Sequence, residues 1–174
     1  MKKVLFLLIA MALQQTGLAQ DIELNDQGAY ERKEVVTVDG STSGVLFGRA
    51  MEALSDWTGP DGRSKVGIDY QDKDAGTVIY KGEYFIDYKR GVLVTANFTL
   101  KVRCKDGRAQ VAVTIPSMTA KAGKLGMEKS VSIADVKAKP KRGAYKYLPQ
   151  ISEIADTLIA SMRNSLSVKD DDDF

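Results

Sequence analysis

The chain has 174 residues with 25 basic and 23 acidic side chains, a formal net charge of +2, and no histidine. The balanced charge argues against a strongly basic nucleic-acid-binding domain. The lack of histidine excludes Ser-His and Cys-His nucleophile systems and the usual zinc ligand. With Cys104 as the single cysteine, an intramolecular disulfide is excluded too.

The N-terminal segment has the arrangement of a secretory signal peptide. Two lysines precede the apolar run 4–13, and the small residues Gly17 and Ala19 follow a short polar stretch. The apolar run is shorter than the roughly 20 residues that cross a bilayer as a helix. We therefore predict that residues 1–19 are a signal peptide, cleaved before Gln20.

Export would place the protein in a bacterial periplasm or outside the cell. No cysteine directly follows the predicted cleavage position, so we expect no lipid anchor. No later stretch is long and apolar enough for a transmembrane helix. We predict an N-terminal linker at 20–29, a single domain at 30–168 and a disordered acidic tail at 169–174.

The domain is predicted to begin with a strand and a helix. Residues 30–38 alternate and contain β-branched side chains, which is typical of a strand. The segment 41–59 then opens with helix-capping residues and closes before Pro60. Its apolar residues share one helical stripe, which predicts an amphipathic helix: Leu46, Ala50, Ala53, Leu54 and Trp57.

Short strands are predicted on both sides of the acidic stretch QDKDAG. Asp72, Asp74 and Gly76 are residue types that turn geometry favours, and the segment 77–88 is rich in β-branched and aromatic residues. A calcium loop fits less well, because Ala75 precedes the glycine and a strand pattern follows where further ligands are needed. We predict a turn between two strands.

The clearest pattern in the chain predicts a long antiparallel hairpin. Its first strand keeps one apolar face: Val92, Val94, Ala96, Phe98, Leu100, Val102 and Cys104. After the turn Lys105-Asp106-Gly107, alternation resumes with Val111, Val113 and Ile115. The hairpin should be apolar on one side and polar on the other.

The last third of the chain combines an obscure segment with a clear helix. Residues 117–147 are rich in lysine and glycine and are predicted to be mostly loop, with a hint of a short strand or turn in MEKSVSIADV. From Pro149 to about Val168 a helical stripe predicts an amphipathic helix: Ile151, Ile154, Ala155, Leu158, Ile159, Met162 and Leu166.

This order of elements, with DKDAGTVIYKG and FTLKVRCKDGRAQVAVTI in the predicted sheet, resembles a family of secreted bacterial proteins of unknown function with a TATA-binding-protein-like fold. The resemblance covers residues 30–168. It implies that fold, and it implies no activity, catalytic residue or cofactor, because the family has no agreed function.

The expected architecture is an α+β domain of about five antiparallel strands with two helices on one face, in the order β-α-β-β-β-β-α. Helices with one apolar stripe each bury it by packing on the single apolar face of the sheet. The other face would then be polar and open. Its candidate partner-binding residues are Thr95, Asn97, Thr99 and Lys101.

The segment 121–146 has the most unusual composition, with eight basic residues against two acidic ones. A solvated loop is the simplest interpretation, and the functional one is a site for an anionic partner at Lys137, Lys139, Lys141 and Arg142. Nucleic acid is not expected, because only Tyr145 and Tyr147 are nearby aromatics and the chain is predicted to be exported. The leading hypothesis is a non-catalytic module that binds an envelope protein or an anionic polymer.

Two alternatives have weaker support. A small-molecule or lipid carrier would have a pocket between sheet and helices, lined by Trp57, Tyr80, Tyr84 and Met162. An enzyme is not expected, because the carboxylate pairs in the chain have the spacing of any exposed turn or strand. Cys104 lies on the apolar side of its strand and is expected to be a buried hydrophobe. We predict no cofactor and no metal.

Overall fold

The computed structural model describes residues 22–123 and 126–168. The predicted signal peptide at 1–19 and the predicted tail at 169–174 lie outside the described residues. The strands are β1 (Tyr30–Thr37), β2 (Lys65–Asp72), β3 (Thr77–Lys89), β4 (Val92–Lys105), β5 (Arg108–Ala122) and β6 (Met127–Ser132). The helices are α1 (Ser43–Glu52), α2 (Ile133–Lys137), a 3-10 helix (Gly143–Tyr147) and α3 (Leu148–Leu166).

The six strands form one antiparallel sheet in the order β1-β5-β4-β3-β2. The sixth strand, β6, also pairs with β5. β1 pairs with residues 108–115 of β5 and β6 with residues 117–122, so both lie along the same edge of β5, one after the other. The α+β antiparallel architecture is confirmed, with one strand more than the predicted five.

The predicted hairpin is β4–β5, and it forms the centre of the core. The predicted apolar residues of β4 from Ala96 to Cys104 are at most 4% exposed, and Val111, Val113 and Ile115 of β5 are fully buried. Leu100 pairs with Val113 across the strands, which places both apolar rows on one face. Period-two alternation therefore gave the buried face correctly.

Both predicted helices cover that face. Leu46 and Ala50 of α1 and eight apolar residues along α3 are buried in the same core. Thr42 caps α1 by accepting a hydrogen bond from the Val45 amide. Helix α1 ends at Glu52, earlier than the predicted stripe through Trp57, and the chain continues in turns.

The prediction of mostly loop at 117–147 was wrong. Residues up to Ala122 continue β5, and β6, α2 and the 3-10 helix follow. The pairing of β4 with β5 shifts between Asn97 and Thr99, where Ile115 and Pro116 form a bulge. Beyond it the inward residues change from odd to even numbers, so Met118 is buried where the earlier alternation would expose it. This change of parity hid the strand.

The acidic stretch 71–76 is a turn, as predicted. The Asp72 carboxylate accepts a hydrogen bond from the Ala75 amide at 2.9 Å, and Gly76 has a φ of 59°. The turn joins β2 to β3. Among the described residues, no helix has the length and apolar character needed to cross a membrane.

Gly82 in β3 marks the tightest approach in the sheet. A Cβ added there would meet the Lys65 carbonyl oxygen and lie 2.6 Å from the Phe98 ring. Because neither neighbour can move freely, we expect Gly82→Ala to lower the free energy of unfolding by about 1–3 kcal/mol, measured by urea denaturation.

Gly67, on the neighbouring strand β2, is the matched control, because a Cβ there meets no atom within 4 Å. Gly67→Ala should change the free energy of unfolding by less than about 0.5 kcal/mol. Equal losses for the two variants would contradict the packing seen at Gly82.

Candidate functional site

The four predicted basic residues of the 121–146 segment are spread over different environments. The Lys137 ammonium, in α2, donates to the Ile22 carbonyl at 2.7 Å, and Lys139 pairs with Asp135 at 3.3 Å. Lys141 and Arg142 follow α2 and lead into the 3-10 helix. Two of the four are therefore engaged within the fold, whereas Lys141 and Arg142 are exposed.

The four predicted residues of β4 all lie on the face away from the helices, but they differ in access. Thr95 is only 3% exposed, so it is not part of the accessible surface that the prediction assumed. Asn97, Thr99 and Lys101 are partly exposed. The Asn97 amide donates to the hydroxyls of Ser117 and Thr119, each at 2.8 Å. Asn97 is therefore held in a network within the sheet.

An ion pair explains why Thr95 is buried on an uncovered face. The Lys121 ammonium contacts the Glu83 carboxylate at 2.7 and 3.0 Å. In the sheet register, Lys121 of β5 lies directly opposite Leu93 on one side of β4. Glu83 of β3 lies directly opposite Asn97 on the other side of β4. The pair thus crosses β4 above Thr95. The hydrogen bond to Glu83 raises the pKa of Lys121, so the Lys121 ammonium stays charged at neutral pH.

At the other end of this face, near the β4–β5 turn, lies a group of cations that we call the basic cluster: Lys101, Arg103 and Lys105 of β4, and Arg108 of β5. Arg103, Lys105 and Arg108 line a shallow depression of about 240 Å³ with Val35 and Gln110. In the part of the chain that the structure describes, no carboxylate is within ion-pair distance of the four cations.

Only Lys101 of the basic cluster was among the predicted site residues. The other three cations were visible in the sequence, as basic residues alternating with the apolar ones at the end of β4 and at the start of β5. What the sequence lacked was the pairing of Lys105 with Arg108, which brings the two strands' cations together.

Of the residues predicted to line a carrier pocket, Tyr80 and Met162 are packed in the core, and Trp57 and Tyr84 pack against it with partial exposure. Tyr84 also lines a depression of about 270 Å³ between β3 and α3. Tyr80 and Met162 are 1% and 0% exposed, and the Tyr80 hydroxyl donates to the Ala50 and Met51 carbonyls of α1. Trp57 stacks obliquely on Tyr84 with ring centroids 5.7 Å apart, and it makes an edge contact with Phe98. The contacts of Tyr80 and Trp57 attach the C-terminal end of α1 and the turn after it to the sheet.

The groups considered for catalysis or metal binding lie apart. Among residues 22–123 and 126–168, no three acidic, cysteine or histidine side chains come close enough to hold a metal ion. Cys104 is 4% exposed and faces the core, where burial raises the pKa of its thiol to about 11. A thiol with this pKa is a neutral packing group at physiological pH.

Thr95 and Thr119 are cross-strand partners that differ in hydrogen bonding. The Thr119 hydroxyl bonds Asn97 and Ser130, whereas the Thr95 hydroxyl is buried with no partner in the described structure. We therefore expect Thr119→Val to lower the free energy of unfolding by about 1–3 kcal/mol, and Thr95→Val to leave it unchanged or raise it. Urea denaturation measures both, and a comparable loss for Thr95→Val would mean that its hydroxyl has a partner.

The buried state of Cys104 gives a chemical test of the fold. Because the neutral thiol is a poor nucleophile and is shielded, we expect it to resist an aromatic disulfide reagent in mildly alkaline native buffer. In denaturant the pKa returns to its ordinary value, the thiolate fraction rises and the thiol should react fully. Rapid reaction of the folded protein would contradict the inward orientation of the β4 residues.

The comparisons with known proteins agree with this architecture. Residues 33–119 match DUF4468, a domain of unknown function with a TBP-like fold. A DUF4468 family protein from Bacteroides ovatus superposes with a TM-score of 0.60 at 17% identity, over 86% of this chain and 92% of its own. A TBP-like protein from Parabacteroides distasonis gives 0.58 at 12% identity, over 83% and 96%.

At these identities, the likeness to the two structures shows the fold alone. No curated protein matches the chain. The family match, however, extends over half of the sequence, from the first strand to the last third of β5. The chain therefore belongs to DUF4468, a family of unknown function with a TATA-binding-protein-like fold.

Proposed function

We propose that this protein is an exported, non-catalytic module that binds an anionic polymer of the cell envelope through the face of its sheet that carries no helix. The observation on which the proposal rests is the basic cluster, Lys101, Arg103, Lys105 and Arg108, on that face without neighbouring carboxylates. Export is part of the proposal, and it rests on the composition of residues 1–19.

The geometry of the basic cluster suits a ligand with repeated negative charges. Alternate residues on a strand lie about 7 Å apart, and directly opposed residues on paired strands lie about 5 Å apart. Lys101, Arg103 and Lys105 therefore form a row, and Arg108 stands beside its end. Four like charges at such distances repel one another, and a polyanion relieves that repulsion on binding.

The side chains around the basic cluster add hydrogen-bonding capacity. Thr99 and Thr114 are opposed and partly exposed, and Gln110 is exposed beside Arg103. Arginine presents a planar fork that matches carboxylate or sulfate groups with two parallel hydrogen bonds. No aromatic side chain lines the depression, which favours a glycan over a single-stranded nucleic acid, because bases need a stacking surface.

One acidic group near the turn is already engaged elsewhere. Asp106 lies between the two strands of the hairpin, and its carboxylate accepts a hydrogen bond from the Ser43 amide at 2.7 Å, at the start of α1. This bond holds the Asp106 carboxylate toward the start of α1, on the side of the sheet that carries the helices. The basic cluster therefore keeps a net positive field on the open face.

The test compares two pairs of charge reversals. We expect Arg103→Glu with Arg108→Glu to weaken binding of polygalacturonate or dextran sulfate about tenfold or more, measured by calorimetry at low and moderate salt. Lys139→Glu with Lys141→Glu carries the same change of charge on the other predicted basic segment and should have a small effect. Neutral dextran should not bind.

The outcomes separate the hypotheses. Equal losses for the two pairs would show that only net charge matters, and unchanged binding after the first pair would reject the open face as the site. If the wild-type protein ignores both polyanions but retains a specific envelope protein that the first pair loses, the partner is a protein and the polymer proposal is wrong.

A further inference from the structure

A separate pocket lies on the helix side of the sheet, at the end where β4, β5 and β6 meet. It is an open pocket with a volume of about 420 Å³, and it is bounded by these strands and the 3-10 helix. Its walls are apolar and come from the strand residues Val94, Met118, Ala120 and Val131 and from Ala144 of the 3-10 helix. This volume is within the roughly 300–1,000 Å³ range of small-molecule sites.

The pocket lies beyond the part of the sheet that α1 and α3 cover, since neither helix contributes a residue to its lining. β4 has 14 residues and is about 46 Å long, whereas α3, with 19 residues, is about 28 Å long. Val94 and Ala120, directly opposed beyond the main core, are accordingly only partly buried. The 3-10 helix crosses this end at a distance and leaves the space open.

Three cations belong to the lining of this otherwise apolar space: Lys129 of β6, Arg142 and Lys146. Neither Lys129 nor Arg142 has a carboxylate within ion-pair distance among residues 22–123 and 126–168. Lys146 is 3.9 Å from Asp87, whose carboxylate also accepts a hydrogen bond from the Tyr147 hydroxyl at 2.6 Å.

An apolar interior with an excess of positive charge in its lining defines the ligand by its chemistry. The interior favours a hydrocarbon body, since each buried methylene contributes about 0.8 kcal/mol. The lining cations favour a negative head group, which Arg142 and Lys129 can pair with, and they disfavour a cation. We propose that this pocket binds a single-chain anionic amphiphile, a fatty carboxylate of medium length.

This site is independent of the open-face site proposed above. The pocket is on the helix side of the sheet, and the basic cluster is on the opposite face near the other end of the β4–β5 hairpin. The two proposals can therefore fail separately, and variants of one site serve as controls for the other.

The test uses four ligands with the same chain: decanoate, decyl phosphate, decanol and decylammonium. We expect calorimetry below the micelle concentration to show decanoate bound about tenfold more tightly than decanol, and decylammonium bound weakest. If decyl phosphate binds more tightly than decanoate, the pocket is still a site for an anionic amphiphile, but the preferred head group is a phosphate. That result would contradict the proposal of a fatty carboxylate as the ligand.

Variants then assign the binding to this pocket. Ala120→Trp fills the space from the sheet and should abolish binding, and Ala144→Phe fills it from the 3-10 helix if the first variant does not fold. Lys129→Glu with Arg142→Glu should reverse the preference from decanoate to decylammonium. The matched control, Arg103→Glu with Arg108→Glu, should bind decanoate as the wild type does.

Three results would overturn the proposal: no binding of decanoate by the wild-type protein, equal affinity for decanoate and decanol, or unchanged affinity in folded Ala120→Trp and Ala144→Phe. Native mass spectrometry of protein purified from its own host adds an independent check. A co-purifying mass that is lost in the Ala120→Trp variant supports the pocket, and one that persists there places its ligand elsewhere.

Discussion

The structure depends on the register of the β4–β5 hairpin. Because side chains alternate between the faces of a strand, a slip by one residue would move the whole apolar row of β4 to the solvent side. The pairing of Leu100 with Val113 and of Val102 with Val111 prevents this, since all four side chains are fully buried on the same face. The position of α1 and α3, and the exposure of the other face, follow from that one constraint.

The bulge at Ile115 and Pro116 gives β5 two roles. Before it, β5 pairs with β1 beneath α3. After it, the same edge pairs with β6, outside the region that α3 covers. Proline suits this position because the exchange of neighbours leaves no ladder hydrogen bond for its missing amide. The sheet is thereby lengthened beyond α1 and α3, which leaves room for the pocket and gives a longer open face.

Charge is distributed unevenly over a chain whose net charge is small. At the end of the open face away from the β4–β5 turn, Lys121 and Glu83 neutralise each other and cover Thr95. Two groups of cations that have no ion-pair partner among the described residues lie elsewhere, around Arg103 on the open face and around Arg142 on the helix side. A fold shared with proteins of unknown function does not itself assign an activity, so these two concentrations of charge are the basis for the functional proposals.

The sequence by itself determined the hairpin, both main helices, the acidic turn and the identity of the buried face, because each is encoded by a period of two or 3.6 residues within one segment. Only the tertiary structure decided the features that need partners from distant segments. The bulge reversed the parity of β5 and concealed its continuation to Ala122, and an ion pair from β3 and β5 buried Thr95. The pairing of Lys105 with Arg108 assembled the basic cluster, and the difference in length between strands and helices left the pocket. These outcomes depend on register and on relative lengths, which local periodicity does not contain.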